Sequence, residues 1–260
     1  MIITSRDNDI IKEVSKLLSS AKYRKEKGAF VSEGVRLCFD GAISGAEITA
    51  FLYTAAAKDK YADEFEKISA CADKSYEVSD RLFAKISDTK TPQGFLCIFK
   101  ALDKCDVMFK ILEKGHYAAL ENIQDPSNMG TILRTAEALG VDGVILSDDC
   151  CDIYSPKVVR GSMGAVFRVP VMIAENFTDY ISRLTQKGIN TYASTPRNAE
   201  NINETEFSDG GVMLIGNEGN GLKPETIAAC KKSVRIEMRG RAESLNAAAA
   251  AAILMYKLLN

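Results

Sequence analysis

The sequence has one histidine, His116, and no Cys-x-x-Cys pair among its seven cysteines. A conventional zinc site needs a cluster of such ligands at short spacing, so none is expected here. The odd count and wide spacing of Cys38, Cys71, Cys97, Cys105, Cys150, Cys151 and Cys230 fit reduced, mostly buried thiols. No apolar run approaches the roughly 18 residues of a transmembrane helix, so no membrane span is expected. Met1-Ile2-Ile3-Thr4-Ser5-Arg6-Asp7 lacks a basic stretch leading into an apolar core. A secretory signal is therefore not expected, and a cytoplasmic location is. Charge of one sign is not in excess either, with 33 Lys and Arg against 35 Asp and Glu. That balance excludes a uniformly basic nucleic-acid binder, but it does not exclude a basic face.

What is present is ordinary globular composition, 46% hydrophobic and 26% charged over 260 residues, enough for one large domain or two small ones. Between Arg6 and Arg36, eight basic residues stand against five acids. A second basic cluster runs from Lys231 to Arg241. Either cluster suits phosphate contacts or a solvated face.

Helical spacing of Ile10, Ile11, Val14, Leu17 and Leu18 predicts a helix over 9–20. A turn over 22–28, a strand over 29–31 and a helix over 33–42 follow. A strand at 48–53, a helix over 59–70, a short helix from Arg81 and a strand at 95–99 close this first unit near residue 100. Residues 101–114 read as a linker. From residue 115 to 260, strands expected at 117–120, 143–146, 169–173, 190–193, 212–215 and 234–236 alternate with helices at 128–139, 177–187, 223–229 and 244–259. Apolar strands alternating with helices imply an α/β unit with a parallel sheet covered on both faces.

Three segments carry polar groups where strands give way to helices, the place where ligands bind in open α/β sheets. The first is Glu121-Asn122-Ile123-Gln124-Asp125-Pro126-Ser127-Asn128-Met129-Gly130, continuing to Arg134. Asn128 suits a helix cap, and Arg134 lies under two turns further on. The second is Gly216-Asn217-Glu218-Gly219-Asn220-Gly221. Its glycines permit positive φ and close approach of a ligand to the backbone, and it matches neither a P-loop nor a dinucleotide fingerprint. The third runs from Ile236 through Met238 to Glu243-Ser244-Leu245-Asn246, ahead of the alanine run 247–252. Ser244 suits the cap of that helix. Each segment alone is equally a capped helix or a simple turn.

In this order the segments resemble the motifs of the SpoU/TrmH-type methyltransferases of the SPOUT superfamily. Asn128, Gly130, Arg134 and Gly140 match the first motif, Gly216, Glu218 and Gly221 the second, and Ser244, Leu245 and Asn246 the third. Residues 155–165, with Lys157 and Arg160, resemble the family's RNA-facing segment. Glu237 departs from the family's usual proline. Residues 8–40 resemble, less specifically, the ribosomal-protein-like α/β domain that many members carry for substrate binding. That shifts Lys22, Arg24 and Lys25 towards RNA contact.

The resemblance implies a deep trefoil knot in the C-terminal domain, homodimers packed through that domain, and S-adenosylmethionine as donor with no metal. It assigns Gly216, Asn217, Gly221, Ile236, Met238 and Leu245 to the cofactor. It assigns Arg134, Asn128, Glu218, Ser244 and Asn246 to a catalytic centre acting on a ribose 2′-hydroxyl. A guanidinium loses its proton only near pH 13, so deprotonation at pH 7 costs roughly 8 kcal/mol. Arg134 is therefore expected to anchor a phosphate and the hydroxyl rather than act as a free base. Large-subunit rRNA is the expected substrate and tRNA the alternative. Methylation of a base nitrogen, or a non-catalytic RNA-binding or ribosome-assembly role on the same fold, are the rival readings.

Overall fold

The computed structural model describes residues 2–103, 110–207 and 209–260. Cys105 and residues 104–109 of the expected linker lie outside the described residues. The chain divides into two compact units, Met1–Leu102 with Asp152–Arg168, and Asp103–Cys151 with Val169–Asn260.

In the first unit, α1 (Asp9–Ser19) buries Ile11, Val14 and Leu17 on one face. The basic stretch expected as a turn is a second helix, α2 (Ala21–Lys27). Ser20 Oγ accepts from the Tyr23 N–H at 3.2 Å, and Gly28 at φ 57° ends the helix. Ala, Lys, Arg and Glu are strong helix formers, and between a serine cap and a left-handed glycine they outweigh the charge that suggested a turn. There follow β1 (Ala29–Glu33), α3 (Val35–Ile43), β2 (Ile48–Tyr53), α4 (Ala55–Lys60), α5 (Ala62–Cys71), β3 (Ser75–Glu77), α6 (Asp80–Ile86) and β4 (Phe95–Lys100). The single helix expected over 59–70 is two, broken at Tyr61.

The sheet order is β1-β4-β2-β3, with β4 antiparallel to β1 and β2. Alternation along β1 and β4 sorts the side chains by face. Ala29, Val31, Leu96 and Ile98 join Ile11, Val14 and Leu17 in one core. Phe30 and Phe99 take the other face, with ring centroids 5.6 Å apart.

Residues 152–168 cover that second face. Phe30 stacks on Tyr154 at 4.5 Å, and Phe99 packs on Phe167 at 4.8 Å. Asp152 accepts from Arg24 Nε at 2.6 Å, and Asp88 accepts from Arg160 Nη1 at 2.6 Å. The domain division expected from sequence ran continuously from 115 to 260. Within it, residues 152–168 pack as part of the first compact unit, where their aromatic and charged partners lie.

The second unit begins with β5 (His116–Leu120), α7 (Pro126–Leu139) and β6 (Gly143–Ser147). After α8 (Pro156–Gly161), which belongs to the first unit, come β7 (Val171–Ala174), α9 (Phe177–Gln186), β8 (Thr191–Ser194), β9 (Glu200–Asn201), β10 (Gly211–Ile215), α10 (Pro224–Ala229), β11 (Lys232–Arg235) and α11 (Ala247–Leu259). The strands form one parallel sheet in the order β7-β6-β5-β10-β8-β11-β9. Helix α9 packs on the face holding Tyr117, Ala119, Val212 and Leu214. The alternate residues Ala118, Leu120, Met213 and Ile215 are equally buried, and α11 packs against α7, β10 and β5. Central strands buried on both faces are what a parallel sheet requires. No helix among the described residues is long and apolar enough to cross a membrane.

Arg24 is only 6% exposed and also donates to the carbonyls of Leu17 and Leu18. Removing one partner of such a pair leaves a buried charge uncompensated. Arg24→Ala is expected to lower stability by about 3 kcal/mol, read by urea unfolding. Asp152→Ala, which leaves the more buried Arg24 charge without its counter-ion, should cost at least as much.

Candidate functional site

In the sheet order β5, β10, β8 and β11 are consecutive, so their carboxyl ends open side by side. The segments that leave them are 121–125, 216–223, 194–196 and 236–246. Three of these segments, with α11, line a cavity of about 280 Å³. Its walls include Gly216, Asn217, Glu218, Gly221, Ile236, Met238, Ser244 and Leu245. Ser194, Thr195 and Pro196 also line it, as do Ala247, Ala250 and Leu254 of α11.

A chain of hydrogen bonds of fixed polarity ties the first, second and third motifs together. Asn246 Oδ1 caps α11, accepting from the Ala248 and Ala249 N–H groups at 2.9 and 3.3 Å. Its Nδ2 is thereby turned outward and donates to Asn128 Oδ1 at 2.9 Å. Asn128 Nδ2 in turn donates to Glu218 Oε1 at 2.9 Å. Asn128 is buried on α7, so both ends of its amide need partners, and each has one. Glu218 further accepts from the N–H groups of Gln124 and Asp125 at 3.3 and 3.2 Å, and from Asn217 Nδ2 at 3.4 Å. Partial burial pushes the Glu218 carboxyl up, but the Asn128 amide and the backbone donors outweigh it and hold the pKa below the usual carboxylate value.

Two capping expectations change. Asn128 does not cap α7; Asp125 does, accepting from the Ser127 N–H at 2.6 Å ahead of Pro126. Ser244 does not cap the last helix, which starts at Ala247 rather than 244; Asn246 is its cap. A proline favours the first helical turn, which moves the start of α7 towards Asp125.

The glycines of the second segment serve the chain itself. Asn217 and Gly221 exchange backbone hydrogen bonds at 3.1 and 3.0 Å, and Gly221 sits at φ 70°. A Cβ on Gly216 would collide with the backbone of Gly221 and Leu222. The close approach that sequence suggested for a ligand is made here by the loop's own return.

Glu121, not singled out from sequence, holds the far end of this loop. It is buried; Oε2 accepts from the Lys223 N–H at 2.8 Å and Oε1 from Thr226 Oγ1 at 2.6 Å. Asn122 stands beside it at φ 54°, a conformation asparagine tolerates, and its carbonyl accepts from Asn217 Nδ2 at 2.8 Å. An acid directly after an apolar strand was the available signal. Ser194–Pro196 gave none, because their place depends on strand order.

Arg134 stands apart from the polar chain. Its exposed side chain makes no hydrogen bond or ion pair among the described residues. Six residues turn an α-helix to about 120° short of two full turns, so Arg134 and the buried Asn128 face different ways. Glu237 lies outside the cavity lining and accepts from Asn201 Nδ2 at 3.4 Å. In the first unit, Arg24 is committed internally, while Lys22 and Lys25 are exposed. Lys157 is exposed, and half-buried Arg160 pairs with Asp88.

Glu218→Gln places an amide N–H against donors already aimed at the carboxylate. The expected cost is about 1 kcal/mol at pH 7, since solvent screens this exposed loop. A depressed pKa makes the contribution complete above the ordinary carboxyl range near pH 4.3, and it is lost as pH falls through the lower folded value. Urea unfolding from pH 7 to pH 3 should show the gap between wild type and variant closing only at the acid end.

A sequence profile described as the SpoU rRNA methylase family matches residues 115–256, and one described as an MRM3-like substrate binding domain matches 8–97. The 23S rRNA (guanosine(2553)-2′-O)-methyltransferase RlmP of Bacillus subtilis is 29% identical over 98% of this chain and 98% of its own. An uncharacterised tRNA/rRNA methyltransferase of Synechocystis sp. is 30% identical over 98% of this chain and 92% of its own. The crystal structure of an AdoMet-bound rRNA methyltransferase from Sinorhizobium meliloti aligns with a TM-score of 0.89 at 30% identity, covering 99% of this chain and 97% of that one.

Proposed function

Because the chain belongs to the SpoU rRNA methylase family, we propose that it transfers a methyl group from S-adenosylmethionine to a ribose 2′-hydroxyl of large-subunit rRNA. The observation that carries this reading is the chain Asn246–Asn128–Glu218, which joins three sequence-distant motifs beside one cavity. The cavity suits a nucleoside with a thioether-like arm, since looped backbone of 216–221 faces apolar Ile236, Met238 and Leu245 across it.

In this reading Gly216, Asn217, Gly221, Ile236, Met238 and Leu245 hold the cofactor. When bound, S-adenosylmethionine supplies a methyl group already activated on a sulfonium. The chain's own residues then have to bring the hydroxyl into line and exclude competing water. Asn128, Glu218 and Asn246 keep the loops in one arrangement, and Ser244 stays at the cavity wall. Arg134, free of protein partners, clamps the RNA phosphate and the hydroxyl through its planar fork. This fixed positive charge stabilises the negative charge that builds on the hydroxyl oxygen as its proton leaves to solvent.

The trefoil knot belongs to the same proposal. It is supported by β11 lying beyond β8 while the following α11 returns to α7, β10 and β5. A homodimer through α7 and α11 is supported by exposed Ile253 and Tyr256 on α11. RNA capture by the first unit falls to Lys22, Lys25, Lys157 and Arg160. For Arg24, named with them from sequence, the buried ion pair with Asp152 supports a scaffold role.

The test is methyl transfer from labelled S-adenosylmethionine to 23S rRNA or tRNA from cells lacking this protein. Alkali-resistant label in 23S rRNA is expected. Label in tRNA alone, on a base, or nowhere contradicts the reading. Arg134→Lys should lose tenfold or more, about 1.4 kcal/mol, in kcat/KM for RNA with cofactor affinity unchanged.

A further inference from the structure

Three charged side chains line the cavity, namely Glu218, Arg235 and Glu243. Two are already occupied by the protein. Glu218 is saturated by Asn128, Asn217 and two backbone N–H groups. Arg235 Nε donates to the Ala199 carbonyl at 3.1 Å. Glu243 is different. It is exposed, and it makes no hydrogen bond or ion pair among the described residues. Its carboxylate is thus the one charged group on this wall with no hydrogen-bond partner among the described residues.

Its neighbours give it no structural task. Helix α11 is capped by Asn246, three residues on, and the alanine helix behind it packs without Glu243. Arg239 of this segment pairs with Glu237 at 3.9 Å. Beside Glu243 the wall is formed by Met238, Ser244 and Leu245. An exposed carboxylate on a cavity wall acts on a nearby bound charge through a partly solvated path, weaker than in a dry interior but stronger than across bulk solvent.

We propose that Glu243 is a specificity-determining residue that favours the charged methyl donor over its spent product. The proposal rests on the cofactor reading above. S-adenosylmethionine and S-adenosylhomocysteine share the adenosine, the ammonium and the carboxylate. They differ by the methyl group and by the positive charge on sulfur. A free carboxylate on the wall attracts the sulfonium form and gains nothing comparable from the neutral thioether. It therefore favours loading of the donor and release of the product after each transfer, a discrimination made by charge rather than by shape.

Isothermal titration of the full chain with each compound, without RNA, tests this. Glu243→Gln should weaken S-adenosylmethionine binding about tenfold and leave S-adenosylhomocysteine within twofold, as expected for one charge pair in a partly solvated cleft. Glu243→Asp, which keeps the charge, should stay within about threefold of wild type for the donor. Unchanged product affinity in Glu243→Gln shows that the cavity has kept its shape. An equal loss for both compounds, or no loss for either, overturns the proposal. If the wild-type chain binds neither compound, the cofactor reading fails, and this proposal fails with it.

Discussion

The carboxylate of Glu218 is the point on which the second unit's working end depends. One side chain accepts from Asn128 on α7, from the backbone of the β5–α7 loop and from its neighbour Asn217. Behind Asn128 stands Asn246, and behind Asn246 the first N–H groups of α11. The polarity of the series is set at its far end. Helix N–H groups can only donate, so Asn246 must present its oxygen to them and its nitrogen to Asn128. Asn128 must then present its own nitrogen to an acceptor, and a carboxylate is the strongest one available. Neutralising or removing Glu218 would leave the series without its terminus.

This arrangement explains why the cavity can be built from loops. Loops tend to be mobile, and a site made of them needs internal fastening. The 216–223 loop is fastened by backbone bonds between Asn217 and Gly221, by the Asn217 side chain to Asn122, and by Lys223 to Glu121. The helix that follows the third motif is fixed by its cap. Arg134 is left outside all of these ties, which suits the RNA-clamping role proposed for it.

Much of the fold was legible in the sequence, and the reasons differ by element. Strands such as Val212–Ile215 were read within a residue, because β-branched and apolar runs bounded by glycine have few other fates. The two helices over 55–71 were read as one, since nothing local in the sequence marks Tyr61 as a break. Two caps fell elsewhere than expected: Asn128 is buried in the network while Asp125 caps α7, and Asn246 rather than Ser244 caps α11. Pair contacts between residues 118 apart leave no local trace. The same holds for residues 152–168, whose partners Arg24, Phe30 and Asp88 lie far earlier in the chain. The order β5-β10-β8-β11 was likewise invisible, and it alone decides that Ser194–Pro196 meet the glycine loop.

The central claim is that Asn128 and Glu218 work as one unit in shaping the cofactor cavity. A double-mutant cycle on S-adenosylmethionine affinity, with Asn128→Ala, Glu218→Ala and the double variant, measures it directly. The account predicts strong non-additivity, with the double variant little worse than either single one and a coupling energy of about 1–3 kcal/mol. Losses that simply add would show that the two residues act independently, and would contradict it.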